Sequence, residues 1–81
     1  MKLKEIRKYK NKLVNVFWLD PCTYVRVKLD DVLKRPYSLH KNSGIIIHVS
    51  SNLVILQHDI CEEEVDVTTI SPVLITQISR R

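Results

Sequence analysis

The chain has 81 residues, 13 Lys and Arg against 9 Asp and Glu, and a formal net charge of +4. That length supports one domain and one small core, and it excludes dinucleotide-binding α/β folds and (β/α)8 barrels. Ten Val, nine Ile and four Thr stand against no Ala and one Gly, which favours an all-β core over a helical one.

The charge is uneven. Residues 1–12 hold Lys2, Lys4, Arg7, Lys8, Lys10 and Lys12 against Glu5 alone, whereas the remaining 69 hold seven bases and eight acids. A near-neutral body with a basic arm points to a polyanion partner, although Lys-rich ends also serve solubility. Leu3, Ile6, Lys10 and Leu13 fall at helical spacing, predicting a basic amphipathic helix of about ten residues held by docking of Leu3 and Ile6. We divide the chain into this arm (1–12) and one β-domain (13–81).

From Leu13 to Leu19 the period becomes two, with Val14, Val16 and Trp18 on one face and Leu13, Asn15, Phe17 and Leu19 on the other. Apolar residues on both faces predict a strand covered by the core on one side and by the helix on the other. Asp20-Pro21 then reads as a turn. Thr23–Leu29 alternates as a half-buried strand, placing Tyr24, Arg26 and Lys28 outward. Residues 30–43 show no sustained period and read as a long loop with one helical turn; such a loop in so small a domain is functional or an interaction surface. Gly44 opens a strand to Ser50. Ser50-Ser51-Asn52 reads as a tight turn, with Asn52 suited to the left-handed region. Leu53–His58 is the return strand.

Asp59, Glu62, Glu63, Glu64 and Asp66 form an acidic loop. Val65–Ile70 and Val73–Ile78 are the last strands, and Ser71-Pro72 between them fits one turn of 3₁₀ helix at a barrel corner. Five or six short strands after a helix predict a mainly β fold: a small SH3-like or Sm-like barrel of bent antiparallel strands.

Two resemblances follow from these stretches. Gly44-Ile45-Ile46 and Asn52-Leu53-Val54-Ile55-Leu56 resemble the first motif of the Sm-like barrels, the Hfq-like proteins included, which assemble as rings on RNA. The family's acidic residue before the turn is absent near Ser50, and Thr69-Ile70-Ser71-Pro72 stands where its second motif carries a basic residue and a glycine. Only Asn52 therefore carries over toward the family's nucleotide pocket. Val16-Phe17-Trp18-Leu19-Asp20 and Ile70-Ser71-Pro72-Val73-Leu74-Ile75-Thr76-Gln77-Ile78 resemble a set of small uncharacterised proteins, many encoded by phages and prokaryotic viruses. That resemblance implies a β-barrel and no established activity.

Nucleic-acid binding needs cations for phosphate and flat rings for bases. Tyr24, Arg26 and Lys28, followed by Arg35 and Tyr37, supply both, and Lys8, Lys10 and Lys12 add charge. With Asn52 these are the candidate nucleic-acid-binding residues. Cys22, His40, His48, His58 and Cys61 offer one close ligand pair where zinc sites usually show two, so no metal or other cofactor is expected. His48, Ser50 and Asp59 could be drawn as a triad, but no nucleophile turn or phosphate-cradling glycine loop accompanies them. We expect no enzyme and no small-molecule substrate.

The charged N-terminus and the lack of a long apolar run predict neither leader nor membrane span, hence a cytoplasmic protein (the host's, if viral) with Cys22 and Cys61 reduced. The expected partner is RNA or DNA. The alternative is a protein-interaction or assembly subunit, a homo-oligomer pairing through exposed strand edges.

Overall fold

The computed structural model describes residues 1–21, 28–34, 37–61 and 64–81, the side chains at 21, 31, 32, 37, 59–61 and 65 excepted. Helix α1 (Leu3–Arg7) precedes β1 (Leu13–Pro21), α2 (Leu29–Lys34), β2 (Tyr37–Val49), β3 (Val54–Cys61), β4 (Glu64–Ile70), a 3₁₀ turn (Pro72–Leu74) and β5 (Ile75–Arg80). All strand pairs are antiparallel, in the order β4-β3-β2-β1-β5. The fold is thus mainly β, one five-stranded sheet with a short N-terminal helix. β4 and β5 are its two edges, so the described sheet is open rather than a closed barrel.

The core-facing positions of β1 to β4 bury Val14, Val16, Ile46, Val54, Leu56 and Ile70, joined by Ile75 and Ile78 of β5 and Ile6 of α1. Each such side chain contributes about 1.5–3 kcal/mol when removed from water, so this single cluster is what holds so short a chain together. Three bulges curl the sheet around it. The register slips between Ile46 and His48, between Gln57 and Asp59, and on the β5 side of Phe17 and Trp18; each extra residue bends its strand and sharpens the twist. Gly44 lies at the tightest approach, where a Cβ would stand 2.3 Å from the Gln57 carbonyl oxygen.

Several expectations are corrected. α1 spans five residues rather than about ten, because the chain leaves the helix to run beside β2: the Asn11 N–H donates to the Ile46 carbonyl at 2.7 Å, and Lys10 bridges Ile46. The helix also covers the core side of the sheet, not the second face of β1. Ile6 is fully buried among Val14, Val16 and Ile46, while Leu13 on the opposite face is 49% exposed. The stretch from Tyr37 is not loop but strand, paired residue for residue with β1 from Tyr37↔Pro21 to Ile45↔Leu13. Gly44 accordingly lies inside β2 instead of opening it.

Leu29 begins a helix rather than ending a strand; the rest of that expected strand, 22–27, lies outside the described residues. Asn52 does not take a left-handed conformation: among the described non-glycine residues only Asn11 does, at φ 66°. The 50–53 turn is closed instead by Ser50, whose N–H donates to the Leu53 carbonyl at 2.9 Å and whose Oγ accepts from the Leu53 N–H at 3.2 Å. Pro72–Leu74 is the anticipated 3₁₀ turn, and β5 begins after it at Ile75.

Candidate nucleic-acid interface

Pairing of β1 with β5 brings the two ends of the described chain together. Val14 faces Arg80, and the Arg81 N–H donates to the Leu13 carbonyl at 3.3 Å. Arg80 and Arg81 therefore stand beside Lys12, and Lys12 is tied to β2 through its carbonyl, which accepts from Ile46 N–H at 3.4 Å. Lys8, Lys10 and Lys12 are all exposed, as are Lys2 just before α1 and Lys4 and Arg7 on it. Glu5 is the only Asp or Glu among residues 1–13 and 79–81.

Of the other anticipated residues, Lys28 is exposed just before α2, and Tyr37 opens β2 opposite Pro21, at the far end of the β1–β2 ribbon from Lys12. Asn52 is exposed in the β2–β3 turn. Tyr24, Arg26 and Arg35 lie outside the described residues, so the expected Tyr24/Arg26/Lys28 face is not described.

The sheet's outer face mixes apolar and polar side chains. Leu13, Asn15, Phe17 and Leu19 of β1 point away from the core, opposite Ile45, Ser43, Lys41 and Leu39 of β2. Phe17 is half-buried, with exposed Lys41 directly across on one side and Gln77 of β5 on the other. Ser43 Oγ donates to Asn15 Oδ1 at 2.6 Å, which fixes the rung between Phe17 and Leu13. A groove of about 320 Å3 opens between Leu13, Ile45, Gln57, His58 and Arg81.

His58 is the bulged residue of β3 and does structural work. Its Nδ1 lies 2.8 Å from the Ser43 carbonyl, which can only accept, so Nδ1 carries a proton. Its Nε2 contacts Thr68 Oγ1 at 2.5 Å. The imidazole thus ties β2 to β4 beyond Ile45↔Gln57, the last described β2–β3 pair in that direction. On the core face of the same ribbon, Trp18 Nε1 donates to Asn42 Oδ1 at 2.7 Å, and the indole lies 5.2 Å from the His40 ring at a 30° tilt. His40 Nε2 is 3.4 Å from Asp20 Oδ2, with both side chains well solvated, so the pair adds at most about 1 kcal/mol.

The histidines are thereby separated: His40 is on the core-side ribbon, His58 on the β2–β4 tie. Among the described residues no three His, Cys, Asp or Glu side chains gather as a metal site. Ser50 Oγ is engaged with Leu53. No helix of the described residues is long and apolar enough to cross a membrane. Compared with known proteins, the chain matches no family model, no curated protein and no solved structure.

Proposed function

We propose that the protein is a non-catalytic nucleic-acid-binding module, RNA or DNA, built on a curled sheet of the SH3-like or Sm-like kind. One observation carries this reading: β1–β5 pairing sets the backbone of Arg80 and Arg81 beside Val14 and Leu13, next to Lys12, so cations from both ends of the chain gather at one end of the sheet. Clustered, exposed bases with one acidic side chain among them attract phosphate and release its counterions. The strand order β4-β3-β2-β1-β5 and the single 3₁₀ turn before β5 support the barrel-like reading of the fold.

Anisotropy titrations with short RNA and DNA at low and moderate salt test it. The expected result is binding whose affinity falls steeply with salt, by about 0.9 log units per tenfold salt for each duplex phosphate neutralised. No binding at low salt overturns it.

A second reading is an assembly subunit, viral or cellular. The positions of β4 and β5 at the edges of the described sheet favour it, since an edge strand can accept a neighbour's strand. Light scattering across concentration decides it: a defined oligomer supports homo-association, and a monomer at high concentration ends it.

A further inference from the structure

Besides its cations, the fold has an outer sheet face with a distinct chemistry. Among the described outward positions of β5, β1, β2 and β3 there is no Asp or Glu: they run Gln77 and Ser79, Leu13 to Leu19, Leu39 to Ile47, and Ile55 and Gln57. The described carboxylate of the β1–β2 ribbon, Asp20, is on the opposite face with Trp18 and His40. The acid-free face nevertheless holds exposed apolar groups, with Leu39 65%, Leu13 49% and Ile45 39% exposed. Lys41 lies across from the Phe17 ring, and Arg81 stands at the end where the groove opens.

Rings and aliphatic groups interspersed with cations, and with no carboxylate to repel phosphate, suit a ligand that is both anionic and flat. A duplex keeps its base faces stacked inside and would use only the cations. An unpaired strand offers both surfaces. Resting on the nucleic-acid reading above, we infer that the outer face of β5-β1-β2 binds single-stranded nucleic acid, one base stacking on Phe17, another further along the strand lying over the Leu13/Ile45 groove, and phosphates meeting Lys41 and Arg81. The basic arm then supplies affinity blind to strandedness, and this face supplies the preference for an unpaired strand.

The test compares a short single strand with a duplex of the same sequence, on the wild-type chain and on three variants whose folding is checked by circular dichroism. Phe17→Leu keeps an apolar side chain but removes the ring, and it should weaken the single strand by about 5- to 150-fold, leaving the duplex unchanged. Lys41→Gln, at an exposed position with no packing role, should lower the single-strand salt slope by about 0.7. Lys8→Glu combined with Lys10→Glu should weaken strand and duplex alike. Oligonucleotide binding that ignores both Phe17→Leu and Lys41→Gln, or that favours duplex, overturns this site while leaving nucleic-acid binding intact. Absence of wild-type binding at low salt overturns both. If Phe17→Leu abolishes self-association instead of oligonucleotide affinity, the face belongs to a protein contact and the inference fails.

Discussion

A β-carbon on Gly44 would meet the Gln57 carbonyl oxygen at 2.3 Å and Leu56 Cγ at 3.2 Å. The first neighbour is backbone and cannot swing away, so the β2–β3 crossing requires the absence of a side chain. Gly44→Ala should cost at least about 1–3 kcal/mol as overpacking, against which the entropy loss of the unfolded chain returns only about 0.4–1 kcal/mol. Urea denaturation followed by Trp18 fluorescence measures this. An unchanged midpoint would mean that the two strands are not so close.

Ile6 is fully buried although α1 has only five residues. A helix this short has no stability of its own, so the helix exists because Ile6 fills the core. Ile6→Ala should destabilise the whole domain by about 2–5 kcal/mol, and Lys4→Ala on the exposed side should change little. A local loss of helix signal with an intact cooperative transition would contradict this.

Through its imidazole His58 links the Ser43 carbonyl of β2 to Thr68 of β4 beyond the last described β2–β3 pair. Removing it by His58→Ala should cost about 0.5–1.5 kcal/mol for the net hydrogen bonding. Because Thr68 is the second partner, a double-mutant cycle with Thr68→Val should show coupling between the two positions. Strict additivity would show that the contact contributes nothing.

Trp18 is the only tryptophan, and its indole N–H donates to Asn42. Asn42→Ala should lower stability by about 0.5–1.5 kcal/mol and shift the emission to longer wavelength as water takes over the N–H. Identical emission would place the indole elsewhere.

Arg80 and Arg81 should contribute to phosphate binding because strand pairing sets them beside Lys12. Each Arg→Gln change should reduce the duplex salt slope by about 0.9. Unaltered slopes in titrations of both variants would remove the C-terminal pair from the phosphate path.

Much of the architecture was legible because it is local. Alternation in Leu13–Leu19 and Val65–Ile70 marks strands within a few residues, and Ser71-Pro72 marks the 3₁₀ turn that follows. Residues 37–43, by contrast, have no apolar alternation of their own; they are strand because β1 pairs with them. Of the site, Lys8, Lys10 and Lys12 were visible as a charge run. Arg80 and Arg81 were not, since each acquires its neighbours through pairing with β1.

The chain's composition and short-range pattern determined that it is mainly β, with a docked basic arm and a polar corner before the last strand. The strand pattern and the corner follow from interactions between residues a few positions apart, and the arm's tendency to dock follows from the spacing of Leu3 and Ile6. Only the tertiary structure decided that α1 sits on the core side while Leu13, Leu39 and Ile45 of the other face are exposed, that His58 and Ile47 are bulged, and that the two basic ends meet. Those outcomes depend on which strands lie side by side and in which register, and a register shift of one residue would turn every outward side chain of a strand inward.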